Sequence, residues 1–286
     1  MSQRVVLIGH SGFIGSRIFN DLKKENAEVF GVSSKDLDLT SEDSPRQLAS
    51  QLKDTDTLVF ISALTPDRGK DRNTFLKNVQ MGVHVSQAIE LQKVAHVVYI
   101  SSDAVYADKE SHIDETLSLA PSGFHGLMHL SREILLSQIC GAQKIGLTDL
   151  RPTLVYGFGD THNGYGPNRF LRTALKDNKI SLFGNGEEKR DHIDVGDVSK
   201  IARLCIQERL FGDFNLATGH SVSFHEVATI IKDLHKGEVE IVPSARANPI
   251  THRHFDIKKL VSAFPKFQPK EIHRGLLDAY NQLREA

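Results

Sequence analysis

The sequence has no tryptophan, three methionines and only two cysteines. Cys140 and Cys205 both fall in apolar stretches with helical spacing. That argues against a disulfide framework and suits a reducing cytoplasm. No run of about 18 apolar residues occurs, so the sequence offers no helix to span a membrane. The charge is as bland: 35 basic against 36 acidic residues leave a net charge of −1. A nucleic-acid-binding surface usually leaves a basic footprint, and none is visible. The opening stretch MSQRVVLIGH reads as a strand and lacks the apolar core of a signal peptide. The expectation is a cytoplasmic protein with no nucleic-acid or membrane partner.

Short apolar runs fill the space these absences leave. RVVLIG (4–9), EVFGV (28–32), TLVFISA (57–63), HVVYISS (96–102), GLTDLRP (146–152) and DFNLAT (213–218) are nearly continuous, as strands buried on both faces are. Helical patterns lie between them. Ile14, Ile18 and Leu22 recur every four residues, as do Val85, Ile89 and Lys93 with apolar neighbours. Alternation of strand and helix predicts an α/β fold with a doubly wound parallel sheet of Rossmann type. After Pro152 the pattern changes. Residues 153–190 are rich in Gly and Asn, and Pro243, Pro249, Pro265 and Pro269 punctuate short irregular segments. This predicts a smaller C-terminal substrate lobe of about 153–190 plus 219–286, beside a dinucleotide-binding domain of 1–152 plus about 191–218.

The first strand runs into GHSGFIGSRIF. Gly9, Gly12 and Gly15 stand between strand and helix, where a G-rich turn gains its meaning. Gly9 permits the turn, Gly12 lets a pyrophosphate approach the backbone, and Gly15 lets the helix pack on the sheet. The helix N-terminus then offers N–H groups and positive potential to phosphates. Candidate cofactor residues are Gly9, His10, Ser11, Gly12, Phe13, Ile14 and Gly15. After the second strand come Ser33, Ser34 and Lys35, hydroxyls and a cation that suit a ribose 2′-phosphate. NADP is therefore the preferred cofactor. NAD remains open, because Asp36 follows by one residue and an acid there would bind a 2′-OH.

The G-x-x-G-x-x-G spacing resembles the short-chain dehydrogenase/reductase superfamily. VVYISSDAVY, LRPTLVYG, NVQMGV and FGNGEEKRDHIDVGDV are similar to motifs of its extended branch, the NAD-dependent epimerase/dehydratase family. The resemblance implies an oxidoreductase or epimerase acting on a nucleotide-diphosphate sugar, with Ser102 at the reacting oxygen. It also implies Asp38 and Leu39 beside the adenine and Ala63 beside the nicotinamide ribose. It further implies Arg190 and Arg246 at phosphate-binding positions, where a guanidinium fork matches phosphate geometry, and Asn168 as a third candidate substrate contact. SSKDLDLTSED and the short length look more like the family's 4-keto-sugar reductases than its epimerases. A homodimer through the helix near 74–93 and the helix after Pro121 would also fit.

One motif departs from the family. Where it carries Tyr-x-x-x-Lys, PSGFHGLMHLSRE carries His125 and His129. A phenol has a pKa of about 10 and needs a nearby cation to ionise near neutrality, whereas imidazole titrates at about 6.5 unaided. Three readings stay open: His125 as acid/base with His129 on the ribose; a silent binding or regulatory protein that keeps the pocket; or a zinc pair at i and i+4, with Asp103 as a third ligand. Asp103 is otherwise a general acid, a group that fixes the tautomer of His125, or a cap. The Glu that follows this Asp in the family's dehydratases is absent, which argues against dehydration.

Overall fold

The computed structural model describes residues 4–65, 68–235, 238–246 and 248–285. The chain divides into two compact units, Met1–Ala107 with Ser118–Arg151 and Ser199–Phe214, and Asp108–Leu117 with Pro152–Val198 and Asn215–Ala286.

The first unit is built on a six-stranded sheet. Its strands are β1 (Val5–Ile8), β2 (Val29–Val32), β3 (Thr57–Phe60), β4 (His96–Ile100), β6 (Gly146–Pro152) and β10 (Gly212–Leu216), in the order β10-β6-β4-β3-β1-β2. These are the six apolar runs of the sequence. The pairs β1–β2, β1–β3, β3–β4 and β4–β6 are parallel. Every residue of β1, β3 and β4 is buried, which is why those runs do not alternate. The helices are α1 (Phe13–Lys24), α2 (Ser44–Ala49), α3 (Arg72–Leu91) and α4 (Phe124–Gln143). On α1 the buried residues are Phe13, Gly15, Ile18 and Leu22, while Ile14 is half-buried. Val85 and Ile89 are buried on α3, but the helix ends at Leu91, before Lys93. One core packs Val6, Leu58, Phe60, Val97 and Tyr99 of the sheet against Val85 and Ile89 of α3 and Leu136 and Cys140 of α4. Cys140 and Cys205 are buried free thiols.

From β1 the chain goes to β2 on one side and to β3 on the other. The glycine turn therefore stands at the point where strand order reverses, the place where ligands bind in open α/β sheets.

The second unit holds β5 (His112–Ile113), β7 (Leu154–Tyr156), β8 (Lys179–Phe183), β9 (Lys189–Asp194), β11 (Ser221–Ser223), β12 (Glu240–Ser244) and β13 (His254–Phe255). They form sheets ordered β11-β9-β7, β12-β8 and β13-β5. Its helices are α5 (Pro167–Asp177), α7 (Phe224–Leu234), α8 (Lys258–Ala263) and α9 (Ile272–Glu285), and α6 (Val195–Glu208) runs across the division. Phe170, Leu171, Val227, Ile231, Leu276 and Tyr280 fill its core. The division differs from the sequence expectation at 108–117, 152, 191–198 and 215–218, which belong to the second unit. The cause is local pairing. β5 pairs with β13, and the buried Asp191 carboxylate accepts from the amides of Thr218 and Gly219 and from the Thr153 hydroxyl.

Among the described residues, no helix is long and apolar enough to cross a membrane.

Candidate active site

The glycine turn is shaped by close backbone approach. Gly9 has φ +94°, and a Cβ there would lie 2.8 Å from the Ser62 amide nitrogen. A Cβ on Gly15 would lie 2.1 Å from the Gly9 carbonyl oxygen, so only glycine lets α1 close onto the turn. Gly12 differs. It is the extended N-cap of α1, and a Cβ there would meet only the Gly9 oxygen, at 3.5 Å. Packing within the protein therefore does not require glycine at 12. No acidic residue occupies the first turn of α1 and no side chain caps it, so its positive end faces outward uncompensated. Ser11 and Gly12 are exposed. The His10 ring instead lies across Gly31 of β2 and against Phe19, 5.0 Å between centroids, as a wall of the turn.

At the end of β2, Asp36 folds back. Its carboxylate accepts from the Ser33 amide at 2.8 Å and the Ser33 hydroxyl at 2.6 Å, and these bonds hold its pKa below the usual carboxylate range. The Ser33 hydroxyl in turn accepts from the Lys35 amide. Ser34 and Lys35 are exposed. Asp38 is bound by the Thr40 amide and hydroxyl, and Leu39 is buried.

Beyond β3, Ala63 lies in a clamped segment. Asn78 of α3 accepts from the Leu64 amide and donates to the Leu64 carbonyl, both at 2.8 Å. Arg132 of α4 is fully buried and donates to the carbonyls of Ser62 (2.8 Å) and Asn78 (2.7 and 2.9 Å). Neither Asn78 nor Arg132 stood out as a site residue in the sequence. Asn78 lay in the NVQMG motif and Arg132 beside the helix-motif Glu, so both were in view without a role.

The histidine pair sits at the start of α4. The rings of His125 and His129 meet edge to face, 4.8 Å between centroids. His125 lines a cavity of about 290 Å³ together with Met128, Asn78, Thr74 and the stacked pair Phe75 and Phe124. His129 is buried, and its Nδ1 lies 2.7 Å from the Tyr99 hydroxyl. Burial, helped by the Arg132 charge, holds His125 below its ordinary pKa. His129 is held well below it by burial, by His125 and by Arg132. Both imidazoles are thus neutral near pH 7. Zinc needs at least a third ligand, and among the described residues no three metal-binding side chains come together.

Two devices bring this helix to the Ser102 strand end. A Cβ on Gly126 would lie 2.0 Å from the Ala104 carbonyl oxygen, so α4 starts hard against the 3-10 turn Asp103–Val105. Behind it, the buried Glu133 carboxylate accepts from the Ser101 hydroxyl at 2.6 Å and pairs with Arg151 at 2.8 and 3.0 Å. Ser102 caps the 3-10 turn by accepting from the Ala104 amide, and its hydroxyl lies 3.5 Å from Asp103 Oδ1. In this cluster the Tyr99 hydroxyl is a hydrogen-bond partner of an imidazole, that of His129.

In the second unit, Asn168 is buried and committed to backbone, accepting from the Gly157 amide at 2.9 Å. Arg190 donates to the Thr251 carbonyl and hydroxyl. Arg246 pairs with Glu187 at 2.7 Å and Glu188 at 3.1 Å, which largely neutralises its charge.

A parallel sheet with a glycine turn at its switch point and a polar cluster at the end of the fourth strand defines a dinucleotide-binding α/β protein. The model of the NAD dependent epimerase/dehydratase family matches residues 5–217, and the chain belongs to that family. A relative described as an uncharacterized UDP-glucose epimerase of Bacillus subtilis (strain 168) is 24% identical over 259 residues, 81% of this chain and 82% of the relative. The fold is also that of a Thermus thermophilus UDP-glucose 4-epimerase solved with NAD (TM-score 0.88, 20% identity, 99% of this chain and 100% of that one). A UDP-glucuronic acid 4-epimerase of Bacillus cereus, solved with UDP-glucuronic acid and NAD, gives a TM-score of 0.85 at 19% identity, covering 99% of both chains.

Proposed function

We propose that the protein binds NAD and a nucleotide-diphosphate sugar and transfers hydride between them, with His125 carrying the proton. The observation that supports this best is a neutral imidazole lining a cavity of about 290 Å³ beside the clamped Ser62–Leu64 segment. When bound, a nicotinamide supplies hydride acceptance and return. The residues that would hold it are the turn Gly9–Gly15, the β2 end, and Ala63. The preference for NADP is revised to NAD, because the Asp36 carboxylate sits bonded to Ser33 and would repel a 2′-phosphate.

His125, neutral near pH 7, takes a proton from a sugar hydroxyl at Nδ1 or Nε2 and returns it to the carbonyl oxygen. Ser102 donates to that oxygen, and Asp103 lies against the Ser102 hydroxyl. A base that starts neutral favours oxidation as the first step, so epimerisation is preferred here over a reduction-only 4-keto-sugar reductase. His129 takes the ribose contact. Arg190 is the first candidate for the substrate pyrophosphate. Arg246 would have to exchange Glu187 and Glu188 for phosphate, and Asn168 acts by holding the Gly157 turn. A cytoplasmic location and a homodimer complete the reading, since α3 and α4 expose Leu76, Leu91, Leu127 and Ile134. Sedimentation equilibrium checks the dimer.

The test is incubation with NAD and a panel of UDP-sugars, following epimer formation and reduced-nicotinamide absorbance. Turnover lost in His125→Phe is expected. Tight NAD binding without turnover on any sugar would instead favour a silent, ligand-keeping protein.

A further inference from the structure

Arg132 is a buried cation without a counter-charge. Its side chain is fully enclosed, and burying a guanidinium is costly unless a carboxylate pairs with it. Among the described residues none does. Glu133, the next residue of α4, is committed to Arg151 and Ser101. Carbonyl oxygens take the donors instead. Nε donates to the Asn78 carbonyl, Nη1 to the Ser62 carbonyl, and Nη2 to the backbone and side-chain oxygens of Asn78. The head lies 4.7 Å from the Phe60 ring centroid. On α3, Gly82 makes room for the stem, since a Cβ there would lie 2.7 Å from the Arg132 Cγ. Apolar packing would serve stability as well or better, so the charge calls for a further use.

What Arg132 holds is the segment that joins two parts of the candidate site. On one side Ser62 abuts the glycine turn. Its amide donates to the Ile8 carbonyl, and a Cβ on Gly9 would lie 2.8 Å from its nitrogen. On the other side Leu64 and Asn78 line the cavity with His125, and Asn78 bonds both backbone groups of Leu64. A ligand reaching from the turn to His125 crosses this segment. The charge behind it is felt in the cavity, because after burial it is Arg132 that lowers the His125 pKa.

We propose that Arg132 is a positioning residue for the nicotinamide: through Ser62 and Asn78 it fixes the segment that the cofactor crosses, and as an unpaired cation it favours the neutral, reduced ring over the positive, oxidised one. This rests on the reading that NAD is the cofactor and His125 the proton carrier. When the sugar is oxidised, its carbon gives hydride to the ring and its hydroxyl proton goes to His125. The ring loses its positive charge in that step, and a fixed cation nearby favours the loss.

Calorimetric titration of the full-length protein with NAD and with its reduced form reads this bias without turnover. Losing the charge in Arg132→Met should shift the ratio of the two dissociation constants by roughly tenfold in favour of NAD, as expected for one charge at short range inside a protein. Arg132→Lys keeps the charge and should hold the ratio near the wild-type value. If Arg132→Met does not fold, Asn78→Asp decides. It puts a carboxylate oxygen where the Asn78 Oδ1 now lies, 3.2 Å from Nη2, and pairing the cation should move the ratio the same way. Hydrogen exchange of the cofactor-free protein reads the clamp: the Leu64 amide should be protected in the wild type and exchange faster in Arg132→Met. A ratio that neither loss nor pairing of the charge moves, or exchange at Leu64 that stays the same, overturns the proposal and leaves NAD binding standing. A wild type that binds neither form refutes the functional reading and this proposal with it.

Discussion

Replacing His192 with leucine isolates the cost of keeping an imidazole neutral in the core. His192 sits on β9 at 2% exposure, with Phe224 edge-on at 5.6 Å between ring centroids. Neither ring nitrogen has a hydrogen-bond partner. Burial, and then the Arg190 charge, push its pKa down to about 3. In the unfolded chain the value is about 6.5. Because the folded value is the lower one, protons favour the unfolded state. The group leaves stability untouched above about pH 6.5 and costs increasingly more as pH falls below it. Between pH 7 and pH 5 the unfolded chain takes up nearly one proton that the native state refuses, a loss of about 2 kcal/mol. His96, held down to about 4 by burial and Arg209, adds a loss of the same sign. Asp149, whose carboxyl burial raises well above the ordinary range, works the other way over the same interval. The wild-type profile mixes these effects, and comparison with His192→Leu separates them. Urea unfolding of both proteins at pH 7 and pH 5 is the assay. The variant should lose about 2 kcal/mol less than the wild type on acidification. Equal losses would show that His192 is protonated in the native state, or solvated, and would refute the reasoning.

Three further outcomes follow from the site. Gly126→Ala drives a methyl group into the Ala104 carbonyl, and should cost about 3 kcal/mol and most of the turnover; an unchanged melting temperature contradicts the packing described. Glu133→Gln breaks a buried ion pair and should cost about 3 kcal/mol, since Arg151 is left with half its partner; denaturant unfolding that matches the wild type rules this out. Asp36→Ala should raise affinity for NADP relative to NAD by roughly tenfold, and calorimetric titration with each cofactor, if it finds the ratio unmoved, removes Asp36 from cofactor choice.

Much of the fold was legible because buried parallel strands and a glycine turn leave local signatures. The six apolar runs became the six strands of the main sheet, and Gly9 and Gly15 do the work that spacing assigned them. Motif order, too, carried the family and pointed to His125 and His129. Other features depend on which atoms meet. Arg132, Tyr99 and Asn78 lie 33 and 21 residues apart along the chain, and no spacing rule joins them. Only the packing of α3 and α4 on the sheet brings the Arg132 guanidinium to the Asn78 carbonyl and the Tyr99 phenol to His129. The turn of Asp36 onto Ser33, the ties of Arg246 to Glu187 and Glu188, and the neutral state of both histidines belong to the same class. A sequence states which groups are present and how they repeat. Their charge and hydrogen-bonding states follow from distance and burial, and those are set when remote segments pack.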